Sequence, residues 1–93
     1  MVWYQEDAKM TLQWWTVPVT IETRRVGRYV TINSTEKAAE YMLEEWPGSQ
    51  NETSFLVAKQ ALIDAHEGKI SAQETRRAFL AAAEDARIFF FNQ

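Results

Sequence analysis

Ninety-three residues with a formal charge of −3, 46% hydrophobic and 25% charged, suffice for one small domain with a thin core. Three glycines and two prolines argue against disorder, and the acidic balance gives no long-range attraction for phosphate backbones or anionic lipid. With no cysteine and a single histidine, His66, the chain excludes disulfides, thiolate catalysis, Cys-based zinc sites and a histidine pair for a metal.

Residues 1–11 show no sustained period. They carry Glu6 and Asp7 and no apolar stretch, so no signal peptide is expected, and no window approaches the ~20 apolar residues of a bilayer span. The expectation is a cytoplasmic protein, in which the sequons Asn33-Ser34-Thr35 and Asn51-Glu52-Thr53 have no meaning. Trp3, Tyr4 and Met10 leave two readings open: a poorly ordered segment, or a cover for part of the fold.

From Leu12 the pattern alternates. Trp15, Val17, Val19 and Ile21 fall on one side of a strand, and Trp14, Thr16, Pro18, Thr20 and Glu22 on the other. Pro18 cannot donate a ladder hydrogen bond, which implies an edge or a bulge. A second β-rich run follows from Arg28 to Ile32, and Gly27 between them predicts a hairpin.

The first helix is expected from about Ser34, capped by Asn33 or Ser34, with Ala38, Ala39, Met42, Leu43 and Trp46 inward and Pro47-Gly48 as its stop. A second helix is predicted over about Thr53–Glu67 with Gly68 just past its end, burying Phe55, Val57, Ala58, Ala61, Leu62 and Ala65. Leu56 and Ile63 form a smaller patch elsewhere on it. Ser71 and Glu74 have the spacing of a capping box for a third helix, about Ala72–Ala86. Alanines on the facing arcs of these two helices favour a close pair. Ile88-Phe89-Phe90-Phe91 reads as a third strand returning to the sheet. The whole chain, 1–93, is thus expected to be one α+β domain in the order ββαααβ, with the helices on one face of the sheet.

These residues resemble a known family. Pro18-Val19 at a strand start, Glu36-Lys37-Ala38-Ala39 opening a helix, Trp46-Pro47 after it, and Arg76-Arg77-Ala78-Phe79-Leu80-Ala81-Ala82-Ala83 look like the family called domain of unknown function 982. The resemblance covers about residues 14–90 and implies a small single-domain protein of the kind found in rhizobia and related alpha-proteobacteria. It implies no activity and no catalytic residues. Two departures stand out: Ala61 where members often have cysteine, and Arg87 where they tend to have glycine before the final Ile.

Chemistry-bearing groups are sparse. His66 beside Asp64 and Glu67 is explained by a helix C-terminus, and Glu36, Glu40 and Glu44 form a solvated ridge rather than a convergent oxygen site. Arg76 and Arg77 are expected in structural ion pairs. No enzyme activity, metal or cofactor is expected. The aromatics carry more: with helices able to shield only one sheet face, Trp14, Trp15, Phe89 and Phe91 are candidate interface residues for a homodimer or a protein partner. The alternative is a small nucleic-acid-binding regulator that uses Arg24, Arg25 and Arg28 at the hairpin turn, disfavoured by the net charge.

Overall fold

Alternation along the first apolar run builds the sheet. A computed structural model describes residues 13–92. In it strand β1 (Trp14–Glu22) turns back into β2 (Tyr29–Ser34), followed by helices α1 (Thr35–Glu44), α2 (Thr53–His66) and α3 (Ala72–Asp85) and a short strand β3 (Phe90–Asn92). The order is ββαααβ, as the patterning predicts. Both neighbours of β1 run antiparallel to it, so β1 is the middle strand of β2-β1-β3.

A proline in a middle strand needs an irregularity, and one is present. Pairing with β2 loses register between Trp14 and Val19, the stretch that contains Pro18. The bulge reading of Pro18 therefore holds, and because β3 pairs β1 only over Val19–Ile21 among the described residues, Pro18 also lies beside an edge that β3 does not reach. Gly27 takes φ +82° in the hairpin turn. Buried Thr23 secures that turn: its hydroxyl accepts from Arg25 N at 3.2 Å, and its N–H donates to Arg28 O at 2.9 Å.

The helix ends follow capping chemistry. Ser34, not Asn33, caps α1, its hydroxyl accepting from Lys37 N at 3.0 Å. Ser71 and Glu74 form the full capping box of α3. Helix α1 ends at Glu44, ahead of Pro47-Gly48. At the end of α2, Gly68 has φ +78°, with Gly68 N–H donating to Ala65 O and Lys69 N–H to Asp64 O. The end of α3 repeats this paired-bond turn without a glycine. Arg87 takes φ +60°, its N–H reaching Glu84 O at 3.0 Å while Ile88 N–H reaches Ala83 O at 2.9 Å.

The core between sheet and helices is an aromatic cluster. Phe79 of α3 is fully buried, with ring centroids of Trp15, Tyr41 and Trp46 at 5.6, 5.8 and 6.3 Å. Phe55 of α2 closes on Trp46 at 5.1 Å. Buried alanines, Ala58 and Ala65 facing Ala82 and Ala83, let α2 and α3 pack together. Three residues expected on inward faces lie outside: Val17, within the register break of β1, and Leu43 and Val57 on the helices are exposed. Tyr41 takes the inward place on α1, with Ala38 and Met42 at i−3 and i+1, and its hydroxyl donates to Glu22 O at 2.6 Å. Burial, then the charges of Glu22 and Glu45, hold the Tyr41 phenol well above its ordinary range.

Candidate interaction surface

The alternation that fills the core presents the opposite residues on the back of the sheet. There Trp14, Thr16, Pro18, Thr20 and Glu22 come from β1 and Tyr29, Thr31 and Asn33 from β2, with Phe91 beside Thr20 in β3. Trp14, Phe89, Tyr29 and Phe91 are 64, 55, 46 and 44% exposed. The surface is not uniformly apolar. The Thr20 and Thr31 hydroxyls meet at 3.2 Å across its middle, because β1 turns threonines and Glu22 outward where it turns Val19 and Ile21 inward.

Three of the four exposed rings form one cluster. Tyr29 and Phe89 meet edge to face with centroids 6.2 Å apart, and Phe91 lies 5.8 Å from Phe89. Backbone bonds position Phe89: Glu22 N–H donates to Phe89 O at 3.1 Å, and Phe89 N–H donates to the Glu22 carboxylate at 2.7 Å. Trp14 stands at the other end of β1, over a cleft of about 320 Å³ shared with Thr16, Val17, Ala72, Gln73 and Arg76. That cleft's one cation is already engaged, since Arg76 Nε donates to Val17 O at 2.8 Å and Nη2 to Asn92 Oδ1. The ion pairing expected of Arg76 is thus replaced by hydrogen bonds at the edge of β1.

Of the four candidate interface residues, Trp14, Phe89 and Phe91 lie on the back of the sheet. Trp15 does not. It is 6% exposed, packs on Phe79 and donates Nε1–H to Thr35 Oγ1 at 3.2 Å, so alternation makes it a core residue. Sequence reasoning missed Tyr29. The signal was available in the inward Val30 and Ile32, whose alternation sends Tyr29 outward. The second reading of residues 1–11, as a cover, falls outside the described residues.

Arg24, Arg25 and Arg28 are all exposed around the hairpin turn and none is ion-paired among the described residues, while Arg28 lines a depression on the helix side with Glu40, Glu44 and Glu45. On the acidic ridge Glu36 accepts from Gln13 N at 3.2 Å and Glu40 lies 3.8 Å from Lys37 Nζ. Exposed His66 closes α2. Among the described residues no three His, Asp or Glu side chains converge as a metal site. No helix there is long and apolar enough to cross a membrane.

The class is therefore a small α+β domain: a three-stranded antiparallel sheet with three helices on one face and, among the described residues, an aromatic cluster exposed on the other. A family model described as Protein of unknown function (DUF982) matches residues 17–90, and the chain belongs to that family. No curated protein and no solved structure matches the chain.

Proposed function

We propose that this domain is a non-enzymatic association module that pairs with a second copy of itself through the back of its sheet. The observation that carries the reading is the Tyr29–Phe89–Phe91 cluster, whose rings touch one another yet stay about half exposed. Rings of this size bury ~150–250 Å² each, so the four half-exposed ones offer on the order of 400 Å². That is about half of the ~800 Å² each partner contributes to a stable interface, a fitting size for an aromatic centre with the threonines and Glu22 as its polar rim. The cysteine-free composition suits a reducing cytoplasm.

Light scattering behind a sizing column tests this. The expected result is a concentration-dependent dimer that Phe89→Ser shifts to monomer. A wild-type protein that stays monomeric at the highest soluble concentration overturns it. A second reading rests on exposed Arg24, Arg25 and Arg28 at the hairpin turn, none ion-paired among the described residues, although Arg28 lines a depression with Glu40, Glu44 and Glu45 on the helix side; it would take a single-stranded nucleic acid. Salt-sensitive binding that weakens in Arg25→Ala supports that reading, and no binding at low salt removes it.

A further inference from the structure

The exposed rings on the back of the sheet stand at two levels along its strands. Measured on β2, Glu22 of β1 is opposite Tyr29 and Trp14 is opposite Ser34. Tyr29 and Phe89 thus share the hairpin end, Phe89 through its backbone bond with Glu22, and Phe91 follows opposite Thr20. Trp14 stands at the other end, five residues along β2 or ~17 Å away at ~3.3 Å per residue. It is the most exposed of the four rings, and among the described residues it makes no ring contact with the other three.

Charge separates the same two ends. Arg24, Arg25 and Arg28 are exposed around the hairpin turn. At the Trp14 end, Gln13 N–H donates to the Glu36 carboxylate at 3.2 Å, and Lys37 is matched by Glu40 at 3.8 Å. A two-fold axis over the Tyr29–Phe89 pair would crowd the arginines of both turns together and leave both Trp14 rings outside. An axis midway between the two ends, level with Thr31, sets the hairpin end of each copy against the Trp14 end of the other. Arg24 and Arg25 then approach the partner's Glu36 rather than the partner's arginines, and every exposed ring has a ring to meet.

We propose that two copies pack back to back and antiparallel about an axis level with Thr31, so that Trp14 of each seats on the partner's Tyr29–Phe89–Phe91 cluster. The arrangement rests on self-association through the back of the sheet and assigns its symmetry. Because the same patch serves on both sides, the contact closes at two copies and cannot grow into a chain. Trp14 is the anchor and the three-ring cluster its seat, the matching of large rings that interface hot spots favour.

The absence of cysteine makes the test direct. Val26 in the turn is fully exposed, so Val26→Cys carries one nitroxide per copy outside the core and the ring contacts. Five residues on each side of the axis at ~3.3 Å, with sheets ~10 Å apart, place the two labels of the dimer about 35 Å apart by pulsed electron resonance. A separation of about 20 Å, with the turns side by side, overturns the proposal and leaves the dimer standing. Light scattering on Trp14→Ala gives the second measurement, an expected rise of at least ~10-fold in dissociation constant. The double variant Trp14→Ala, Phe89→Ala is expected to dimerise little worse than Phe89→Ala alone, since both substitutions remove the same contact. An unchanged constant in Trp14→Ala, or losses that multiply in the double variant, overturns the arrangement alone. A wild-type protein that stays monomeric overturns the arrangement and the self-association together.

Discussion

The two faces of the sheet are built from the same kind of side chain and do opposite things. On the front, Trp15, Tyr41, Trp46, Phe55 and Phe79 interlock at centroid distances of 5.1 to 6.3 Å beneath three helices. On the back, Tyr29, Phe89 and Phe91 keep similar spacings, 5.8 to 6.2 Å, with no helix above them among the described residues. Ring contacts alone do not decide what an aromatic cluster is for. The front cluster gains the full transfer of its rings from water, roughly 1.5–3 kcal/mol each, whereas the half-exposed back cluster gains about half of that.

Truncating the centre of the front should have the largest effect. Phe79→Ala empties a fully buried site and is expected to destabilise by ~3–5 kcal/mol in a denaturant melt, a large share of the ~5–15 kcal/mol typical of a domain. A loss comparable to that of a surface substitution would break the comparison. On the back, Phe89→Ala should change folding stability by less than ~1 kcal/mol while weakening dimerisation by about 2 kcal/mol, ~30-fold in dissociation constant. An equal loss of folding stability on both faces would make the back cluster structural.

Tyr41 sharpens the contrast through pH. Its phenol is held above its ordinary value of about 10 by burial and by the charges of Glu22 and Glu45. The unfolded chain therefore releases this proton first. The stabilisation is complete below pH ~10 and is lost as pH rises through that value toward the folded one. Tyr41→Phe should cost ~1 kcal/mol at neutral pH through its lost bond to Glu22 O, and the gap to wild type should narrow above pH ~10. Melts across pH 7–11 read both effects. The smallest expected effect is at Arg87. A non-glycine side chain at φ +60° carries strain of ~1–2 kcal/mol, so Arg87→Gly should raise stability by a few tenths to ~1 kcal/mol after the extra freedom of glycine in the unfolded chain.

Much of the front was legible in the sequence because each signal was local. Ser71 with Glu74, Gly68 after α2, Gly27 between two alternating runs and the Phe-rich C-terminus each name an element from a few neighbouring residues. The sidedness of the helices was less legible. Leu43 and Tyr41 lie two positions apart on α1, some 200° around the helix, and hydrophobicity favours the leucine. The core selects the tyrosine, whose hydroxyl has a carbonyl to meet at Glu22 and whose ring meets Phe79. The back surface was legible at Trp14, Phe89 and Phe91, which alternation placed there. Trp15 separates from its neighbour for the same reason. The anchoring of Gln13 and the bond of Arg76 to Val17 O join residues 22 to 59 positions apart, and no local pattern announces them.

The left-handed turn at Arg87 also sets a parity. Leaving α3 there, the chain sends Ile88 inward, Phe89 outward, Phe90 partly inward and Phe91 outward. Because side chains along a strand alternate with a period of two, deleting or adding one residue between Ala86 and Phe89 would invert that assignment. Ile88 and Phe90 would then face the water and the two phenylalanines the core. The odd-or-even count of the four-residue connection from Ala86 to Phe89 thus decides which of these side chains lie in the core and which on the surface.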